Sequence, residues 1–472
     1  MLIDIDFSSD KDAIIYNNTH VPYKSFNELV NNMQVFFHES NLKEGDVLVI
    51  YMRRTPIMLA SIIAALKSGI TYVPIDLSLP EERIKFVLES CKANAIIADN
   101  PYNGYAFQNY SVSQENKNTV IFTNPNRETS VSNESDRIAY ILYTSGSTGA
   151  PKGVMISSKA LQNFIEAMPQ EIHIHDCKKI ICLTSISFDI FFLEAIAPFF
   201  WGLTVVLADD DSYYNVRSLT KLIEENEVDI LQLTPSRMQQ FIYYDNNLNI
   251  FKDIKCLLLG GEQLSNNLLI KCQESLNAKI FNLYGPTETT IWSSVKNLTD
   301  ADGVTIGSPI KNTYFMIMGD DHQENRQFGE LYIAGEGLMS GYVNDYELTK
   351  KALYIGADEK TYYKTGDLVK IDASGEYVFV GRVDNQIKLN GYRIELEEIE
   401  AVLKKTFSFS NCIVKVDNSR LICYFNGDQN LETNNIISMV SRYLPKYMIP
   451  TKFIYLQQFP LNISGKVDRS KV

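Results

Sequence analysis

The sequence has little of three things: long apolar runs, positive charge and cysteine motifs. No apolar run reaches about 18 residues, which argues against a membrane-spanning helix. The formal net charge of -13 argues against a general nucleic-acid-binding protein, because such a protein needs an excess of positive charge to neutralise the phosphates. The seven cysteines are scattered and form no Cys-x-x-Cys pair, so we expect reduced thiols rather than disulfides or a metal centre. The acidic N-terminal residues do not have the pattern of a signal peptide, so we expect none, and we expect a cytoplasmic protein.

The order of the predicted elements indicates an α/β fold. The 472 residues, 45% of them hydrophobic and 21% charged, suffice for two or three globular domains. Strands and helices alternate up to about Leu283, which predicts parallel sheets covered on both faces. From about Thr313, shorter strands with glycine turns predict an antiparallel, barrel-like region. An αβ segment follows Arg382, so we predict a large N-terminal domain over residues 1–382 and a small, mobile α+β domain over residues 383–472.

One stretch, residues 143–154, combines four serine and threonine hydroxyls with three glycines and a lysine. Glycine lets backbone N–H groups approach an anion, and hydroxyl groups and lysine bind phosphate oxygens. The stretch therefore predicts a triphosphate site, and a flexible Ser/Gly surface loop is the alternative. Because Pro151 precedes Lys152 and Gly153 follows it, the stretch is not a Walker P-loop, which argues against a P-loop phosphotransferase. The same neighbours predict that Lys152 sits on an exposed turn.

A carboxylate interrupts an apolar run. Asp189 lies near the start of the stretch Phe188–Phe200, which we predict to be one long apolar helix. A buried carboxylate without a partner is costly, and no lysine or arginine is near it in sequence. The alternative is an exposed aspartate at a helix start. Other unusual residues follow predicted strands, at the sheet edge where α/β proteins bind ligands: Gly260-Gly261-Glu262 and Tyr284-Gly285-Pro286-Thr287-Glu288.

Several motifs occur in one order along almost the whole chain. They are residues 66–76, 143–154, 282–290, 363–368, 381–388, 444–450 and 462–469. In this set the chain resembles the adenylation domains of nonribosomal peptide synthetases, within the superfamily of acyl-CoA synthetases and luciferases. The resemblance implies two half-reactions. A carboxylate first attacks the α-phosphate of ATP to give an acyl adenylate and pyrophosphate. A phosphopantetheine thiol of a carrier protein then attacks the adenylate to give a thioester.

The resemblance also implies roles for individual residues. The β- and γ-phosphates are expected at Thr144, Ser145, Ser147, Thr148 and Lys152. Further ATP-binding residues are expected at Gly146, Gly149, Gly261, Glu262, Asn282, Tyr284, Gly285, Thr287, Asp367 and Arg382. Glu288 resembles the Mg²⁺ ligand, and its alternative is a helix-start glutamate. Lys466 resembles a mobile catalytic lysine, with a solvated tail lysine as its alternative. Glu288 and Thr148 complete the expected catalytic set, and Asp384 matches the hinge of the small domain.

The resemblance maps a substrate pocket onto ten residues: Asp189, Ile190, Leu193, Gln232, Leu258, Gly260, Leu283, Ile291, Trp292 and Lys466. Asp189 would hold the amine of an amino acid and Lys466 its carboxylate. The others are mostly large and apolar and would fill the volume of a substrate side chain. A filled pocket favours glycine, and the set looks like the signature that the family associates with glycine. Alanine is the near competitor, because one methyl group is worth only about 1–3 kcal/mol of discrimination. Cysteine is a weaker alternative.

Three other functions remain open at this point. A free-standing D-alanine–carrier protein ligase belongs to the same class. An acyl-CoA synthetase is disfavoured, because a fatty acid has no ammonium group to pair with Asp189. A non-catalytic nucleotide-binding regulator is disfavoured by the presence of Lys466 and Glu288. The sequence leaves open whether the chain is part of a longer synthetase of antibiotic-like products or acts on a separate carrier protein.

Overall fold

The computed structural model describes residues 4–101, 107–126, 137–146, 149–209, 215–319, 323–325, 327–428, 431–461 and 467–472. The strands up to residue 157 are β1 (Asp12–Tyr16), β2 (Thr19–Pro22), β3 (Val47–Tyr51), β4 (Thr71–Pro74), β5 (Ala95–Asp99), β6 (Ser111–Glu115), β7 (Thr119–Thr123), β8 (Ile138–Thr144) and β9 (Lys152–Ser157). The strands from there to residue 309 are β10 (Lys179–Cys182), β11 (Thr204–Leu207), β12 (Ile230–Leu233), β13 (Cys256–Gly260), β14 (Lys279–Tyr284), β15 (Ser294–Asn297) and β16 (Ser308–Pro309).

The remaining strands are β17 (Thr313–Met318), β18 (Phe328–Gly335), β19 (Gly341–Tyr342), β20 (Leu353–Ile355), β21 (Thr361–Ile371), β22 (Tyr377–Arg382), β23 (Ile387–Leu389), β24 (Tyr392–Ile394), β25 (Asn411–Asp417), β26 (Arg420–Asn426) and β27 (Lys452–Tyr455). The α-helices are α1 (Tyr23–Glu39), α2 (Pro56–Lys67), α3 (Glu81–Ser90), α4 (Ser158–Glu171), α5 (Ile190–Ala195), α6 (Ala197–Phe200), α7 (Val216–Glu225), α8 (Pro235–Tyr244), α9 (Asn266–Ser275), α10 (Tyr346–Ala352), α11 (Leu396–Phe407) and α12 (Thr433–Val440).

Two large sheets form the N-terminal part. One has the order β16-β15-β14-β13-β12-β10-β11-β1-β2, and the other has the order β19-β9-β8-β4-β3-β5-β7-β6. The central strands of both sheets are parallel, whereas the pairs at their edges are antiparallel. The predicted α/β class with parallel sheets is therefore confirmed for the sheet centres. Apolar side chains of both sheets and of α1, α2, α4 and α5 share one core, which places these helices between the sheets.

A third sheet and a separate C-terminal core follow. Strands β17, β18, β21, β20 and β22 pair antiparallel, as the glycine-turn pattern predicts. Beyond residue 386 the chain forms the hairpin β23–β24, and then a sheet of β25, β26 and β27 beside α11 and α12. Its apolar residues form a cluster of their own, which includes Ile399, Val414 and Val440. We refer to residues 383–472 as the C-terminal segment; its boundary and its hinge stay predictions.

The predicted helix from Phe188 to Phe200 is wrong in extent. The structure begins helix α5 at Ile190 and interrupts the run at Ile196, from which α6 restarts with Pro198 in its first turn. Proline lacks the N–H that a continuous helix would use and clashes with the preceding turn, which explains the break. No helix in the described ranges combines the length and the apolarity needed to cross a bilayer.

Candidate active site

The glycine- and hydroxyl-rich stretch is the connection of a β-hairpin. Strands β8 and β9 pair antiparallel, with Thr144 opposite Lys152 and Tyr143 opposite Gly153. The expectation of an exposed lysine is wrong. Lys152 is the first residue of β9, and its side chain is only 14% exposed because it turns towards Glu288. The hydroxyl of Ser145 is buried, and the N–H of Gly149 bonds to the carbonyl of Gly146.

Glu288 is the centre of a buried cluster of charges. It lies in a single 3-10 turn that follows β14, and its side chain is fully buried. Its Oε1 lies 2.9 Å from Lys152 Nζ and accepts a 2.9 Å hydrogen bond from the Tyr342 hydroxyl. Its Oε2 lies 2.7 Å from Arg393 Nη1, in the C-terminal segment. Burial alone would raise the pKa of Glu288, but Arg393 and Lys152 outweigh it and hold this pKa well below its ordinary value.

The pKa values of the two cationic partners of Glu288, Lys152 and Arg393, are shifted in opposite directions. Burial lowers the pKa of Lys152 in spite of its pairing with Glu288, whereas Glu288 raises the pKa of Arg393 against the effect of burial. Within the described ranges, no group of three or more His, Cys, Asp or Glu side chains could hold a metal ion. Glu288 is thus a single carboxylate, and Mg²⁺ at this position would depend on phosphate oxygens and water for its other ligands. That donor set fits Mg²⁺ bound together with a nucleotide.

A second polar cluster lies at the junction with the C-terminal segment. Asp367 accepts hydrogen bonds from the Tyr284 hydroxyl at 2.6 Å and from Arg382 Nη1 at 2.5 Å. Arg382 also pairs with Asp384 through two bonds of 2.6 and 2.7 Å, so it connects the expected ribose carboxylate to the expected hinge. Asn282 donates its amide N–H to Thr305 O at 2.7 Å. Three of the residues expected at the nucleoside, Tyr284, Asp367 and Arg382, therefore bond to one another. The amide of Asn282 bonds instead to the carbonyl of Thr305.

The expected substrate residues converge on the carboxyl ends of three adjacent strands. Gln232 pairs with Leu258, and Gly260 pairs with Leu283. Trp292 is 1% exposed and lies directly against Gly260, because a Cβ built on that glycine would be 2.6 Å from the indole ring. Ile190 approaches the same strand end, since its Cδ1 lies 3.5 Å from a Cβ built on Gly261. Leu193 and Ile291 are fully buried in the surrounding core.

Two buried polar atoms of this pocket have no partner among the described residues: Gln232 Oε1 and Trp292 Nε1. A buried unpaired donor or acceptor costs about 1–3 kcal/mol, so a ligand or water that bonded to them would be favoured.

The backbone that presents Trp292 is strained. Thr290 and Ile291 are both left-handed, with φ of 62° and 68°. Residues other than glycine, and β-branched residues above all, rarely adopt this conformation, which costs of order 1–3 kcal/mol each. The sharp turn passes Gly285, where a Cβ would lie 2.6 Å from the carbonyl oxygen of Ile291. Glycine is therefore required at 285, and such strain is typical of functional sites.

Asp189 stands at the entrance to helix α5. Its Oδ1 accepts a 2.9 Å bond from the N–H of Ile190, and the Thr287 hydroxyl also bonds to it. The carboxylate keeps partial solvent access, yet the surrounding protein raises its pKa because burial disfavours the charged form. Within the described part of the chain, no cationic side chain comes within ion-pair distance of Asp189. The structure thus provides a negative site, next to an apolar pocket, that suits a cationic ligand.

Glu262 connects the N-terminal part to the C-terminal segment. It accepts the N–H of Ser236 at 2.9 Å and the N–H of Gly391 at 2.5 Å. In this arrangement both of its carboxylate oxygens bond to backbone N–H groups, and its role at the nucleotide stays a prediction. Three expected residues, Ser147, Thr148 and Lys466, lie outside the described residues.

Sequence reasoning missed four side chains: Arg83, Tyr342, Arg393 and Glu398. The signal for two of them was present, because the run Gly391-Tyr392-Arg393-Ile394-Glu395 and the helix with Glu398 directly follow the motif at residues 381–388. Arg83 and Tyr342 carried no local signal, since their partners lie far away along the chain.

Comparisons with known proteins identify the family of this chain. Residues 6–343 match the family described as AMP-binding enzyme, and the chain therefore belongs to that family. Over 97% of its length it is 33% identical to the dimodular nonribosomal peptide synthase of Bacillus subtilis (strain 168), of whose length it spans 20%. It is 30% identical to zwittermicin A synthase ZmaJ of Bacillus cereus, over 98% of this chain and 91% of that protein.

Among solved structures, a four-domain nonribosomal peptide synthetase bound to AMP and glycine is 28% identical, with a TM-score of 0.69. The alignment covers 98% of this chain and 35% of that one. The predicted resemblance to nonribosomal peptide synthetase adenylation domains is confirmed, and the comparisons support an AMP-forming ligase.

Proposed function

We propose that this protein uses ATP to adenylate a small amino acid, with glycine favoured, and then transfers it to the phosphopantetheine thiol of a carrier protein. The observations that carry the proposal are made at Asp189 and Trp292. Among the described residues, no cationic side chain lies within ion-pair distance of Asp189, and the Trp292 indole lies against Gly260 at the strand end that Ile190, the residue after Asp189, also approaches. An α-ammonium group satisfies the first feature, and the lack of a side chain satisfies the second.

In this proposal the phosphate end of the site holds ATP. Thr144, Ser145 and Lys152 bind the β- and γ-phosphates, together with Ser147 and Thr148, while Gly146 and Gly149 allow close approach of the backbone. Glu288 contributes the one protein carboxylate to Mg²⁺, which when bound neutralises charge on the phosphates. Arg393 must leave Glu288 for that to happen, because it pairs with the carboxylate in the described arrangement.

The nucleoside end uses groups that the structure leaves available. Asp367 already bonds to Tyr284 and Arg382, but each carboxylate oxygen has two lone pairs and can also accept a ribose hydroxyl. Asn282 uses its amide nitrogen on Thr305, so its amide oxygen would accept the adenine amino group. Tyr284 offers a ring for stacking on the base, and Gly261, Glu262, Gly285 and Thr287 complete the walls of this site.

The chemical step needs no covalent nucleophile from the protein. The substrate carboxylate attacks the α-phosphorus, one P–O bond forms, and the bond to pyrophosphate breaks. Asp189 orients the amine, and Lys466 is proposed to bridge the substrate carboxylate and the α-phosphate. Positioning of the reactants and stabilisation of charge in the transition state then accelerate the reaction. Rotation about Asp384 would exchange this arrangement for one that admits the carrier thiol.

Pyrophosphate exchange across the twenty amino acids tests the proposal. We expect ATP-dependent exchange with glycine, weaker exchange with alanine and little with larger substrates. A strong response to alanine or cysteine would move the assignment to those amino acids, and a response to D-alanine would favour a D-alanine–carrier protein ligase. A preference for a large side chain would contradict the filled pocket, and no exchange with any amino acid would contradict the enzyme activity itself.

A further inference from the structure

Helix α11 of the C-terminal segment carries a buried carboxylate that touches two elements of the N-terminal part. Glu398 Oε1 lies 2.6 Å from Arg83 Nη1 on helix α3, and Glu398 Oε2 accepts the N–H of Gly146 at 3.1 Å. The two charged side chains are only 6% and 2% exposed. Glu398, from the C-terminal segment, thus accepts the backbone N–H of Gly146, which belongs to the loop proposed to bind phosphate.

The same loop has further contacts with the C-terminal segment. The Ser145 hydroxyl donates to the carbonyl of Arg393 at 2.9 Å and accepts the N–H of Glu395 at 3.2 Å. A Cβ built on Gly149 would lie 2.6 Å from the Cβ of Ala401, so helix α11 packs directly against the loop. Three described positions of the loop are therefore covered by one helix and the strand before it.

These contacts are chemically incompatible with a bound polyphosphate. The N–H of Gly146 cannot bond to a phosphate oxygen while it donates to Glu398. The Glu398 carboxylate would also stand within contact distance of the negatively charged phosphate, and like charges at short range repel. Arg83 makes the burial of Glu398 tolerable, because a buried carboxylate without a cation is strongly disfavoured.

We propose that Glu398, held by Arg83, is a latch that competes with the β- and γ-phosphates of ATP for the backbone N–H of Gly146, in the described part of the phosphate loop (residues 144–146 and 149–152). The C-terminal segment docks in the observed arrangement when the loop is free of polyphosphate. ATP must displace Glu398 in order to bind, and departure of pyrophosphate lets Glu398 return. This inference rests on the proposed function of the loop, and both residues act as positioning residues that touch neither substrate.

The latch predicts a difference between ATP and AMP. AMP has no β- or γ-phosphate and does not compete with Glu398, so weakening the latch should change its affinity little. The apparent affinity for ATP is reduced by the fraction of molecules that are already docked. If about nine tenths are docked, then removing the latch tightens ATP binding about tenfold.

The test compares Glu398→Gln and Arg83→Met with the control Glu400→Gln. Glu400 lies on the same helix and pairs with an arginine at 2.7 Å, but that partner, Arg469, belongs to the C-terminal segment itself. Titration calorimetry with ATP or AMP, without amino acid, should show the ATP-to-AMP affinity ratio rising about tenfold in both latch variants and less than about twofold in the control. The double variant should show no further gain, because both changes break one contact.

A distance measurement provides the second readout. The seven native cysteines are buried, so fluorescent labels can be directed to new cysteines at the exposed positions Tyr346 and Met439. Inorganic tripolyphosphate should change the distance between these labels, at about tenfold lower concentration in Glu398→Gln than in the parent. An equal ATP-to-AMP ratio in Glu398→Gln and Glu400→Gln, or no distance change at saturating tripolyphosphate, would overturn the latch alone. Failure of the parent protein to bind ATP would contradict the proposed function and the latch together.

Discussion

The amino-acid end of the candidate site and its phosphate end take their described side chains from different parts of the chain. Asp189, Gly260 and Trp292 all belong to the N-terminal part: Gly260 and Trp292 are fixed by strand register and close packing, and Asp189 caps helix α5. Lys152 and Glu288 also belong to that part, but Arg393 and Glu398 reach them and the loop from the C-terminal segment. The first end is therefore preformed, whereas the second depends on how the two parts are arranged.

This difference suggests a division of labour. The described residues of the amino-acid end would discriminate between amino acids by size, whereas Lys466, which is proposed to bridge the substrate carboxylate and the α-phosphate, belongs to the C-terminal segment. A phosphate end that exchanges protein contacts for phosphate contacts can report on whether ATP or pyrophosphate is bound. Single substitutions at either end test whether the two ends act separately.

The largest effect is expected from Asp189→Ala. Removing one partner of a buried ion pair costs roughly 3–5 kcal/mol, so the affinity for glycine should fall about 100-fold or more. The affinity for ATP should change little, because Asp189 belongs to the amino-acid end. The glycine and ATP dependence of pyrophosphate exchange measures both. Equal losses for the two substrates would show that the ends are not independent.

Glu288→Gln should act on the phosphate end. The concentration of Mg²⁺ needed for half-maximal exchange should rise about 10–100-fold, by analogy with lost metal-site contacts.

The Glu288→Gln variant also leaves Lys152 and Arg393 without their shared anion, which should lower the free energy of unfolding by about 3–5 kcal/mol. Denaturant unfolding checks this, with Glu376→Gln as a control, since Glu376 pairs with Lys296 elsewhere. A stability loss no larger than that of the control would contradict the buried cluster.

Trp292→Phe should enlarge the amino-acid pocket without touching the phosphate end. We expect the ratio of alanine to glycine exchange to rise about tenfold, because one methyl group is worth about 1–3 kcal/mol. The matched control is Trp201→Phe, which changes the second tryptophan, whose indole N–H bonds to Ile165 O outside the pocket. If both variants kept the parent ratio, Trp292 would not be the side chain that limits the substrate.

The smallest effect is a change of stability with pH in Asp189→Asn. Burial raises the pKa of Asp189 in the folded state, so the folded protein binds the proton more tightly than the unfolded chain does. The parent therefore loses stability as the pH rises from the ordinary aspartate range through the folded pKa. Asp189→Asn should be slightly more stable than the parent at pH 7, and this gain should vanish below about pH 4. Thermal unfolding at both pH values measures it, and a less stable variant at pH 7 would contradict the raised pKa.

Sequence reasoning succeeded where local pattern decides the outcome. The alternation of strands and helices predicted the sheets, and the strand-end residues Gly260, Leu283 and Tyr284 do meet at one edge. It failed at Lys152, because the exposed-turn prediction ignored the antiparallel pairing of β8 with β9 that turns the lysine inward. It also failed at Ile196, where Pro198 interrupts an apolar run that hydrophobicity alone would read as one helix.

The pairings of the latch residues could not be predicted from local pattern, although Arg393 and Glu398 themselves follow a recognisable motif. Arg83 and Glu398 are 315 residues apart, and Arg393 and Glu288 are 105 residues apart. Such pairs arise from the docking of separately formed elements, which neither periodicity nor capping reveals. Arg83 and Glu398 are buried because the C-terminal segment packs against the N-terminal part.

Direct detection of the adenylate is the measurement closest to the central claim. The protein is incubated with ATP, Mg²⁺ and glycine in the absence of any carrier protein, and the bound products are released and analysed by mass spectrometry. We expect glycyl-AMP in an amount close to that of the protein, with much less alanyl-AMP in a parallel incubation. The absence of any aminoacyl-AMP with all twenty amino acids would contradict it.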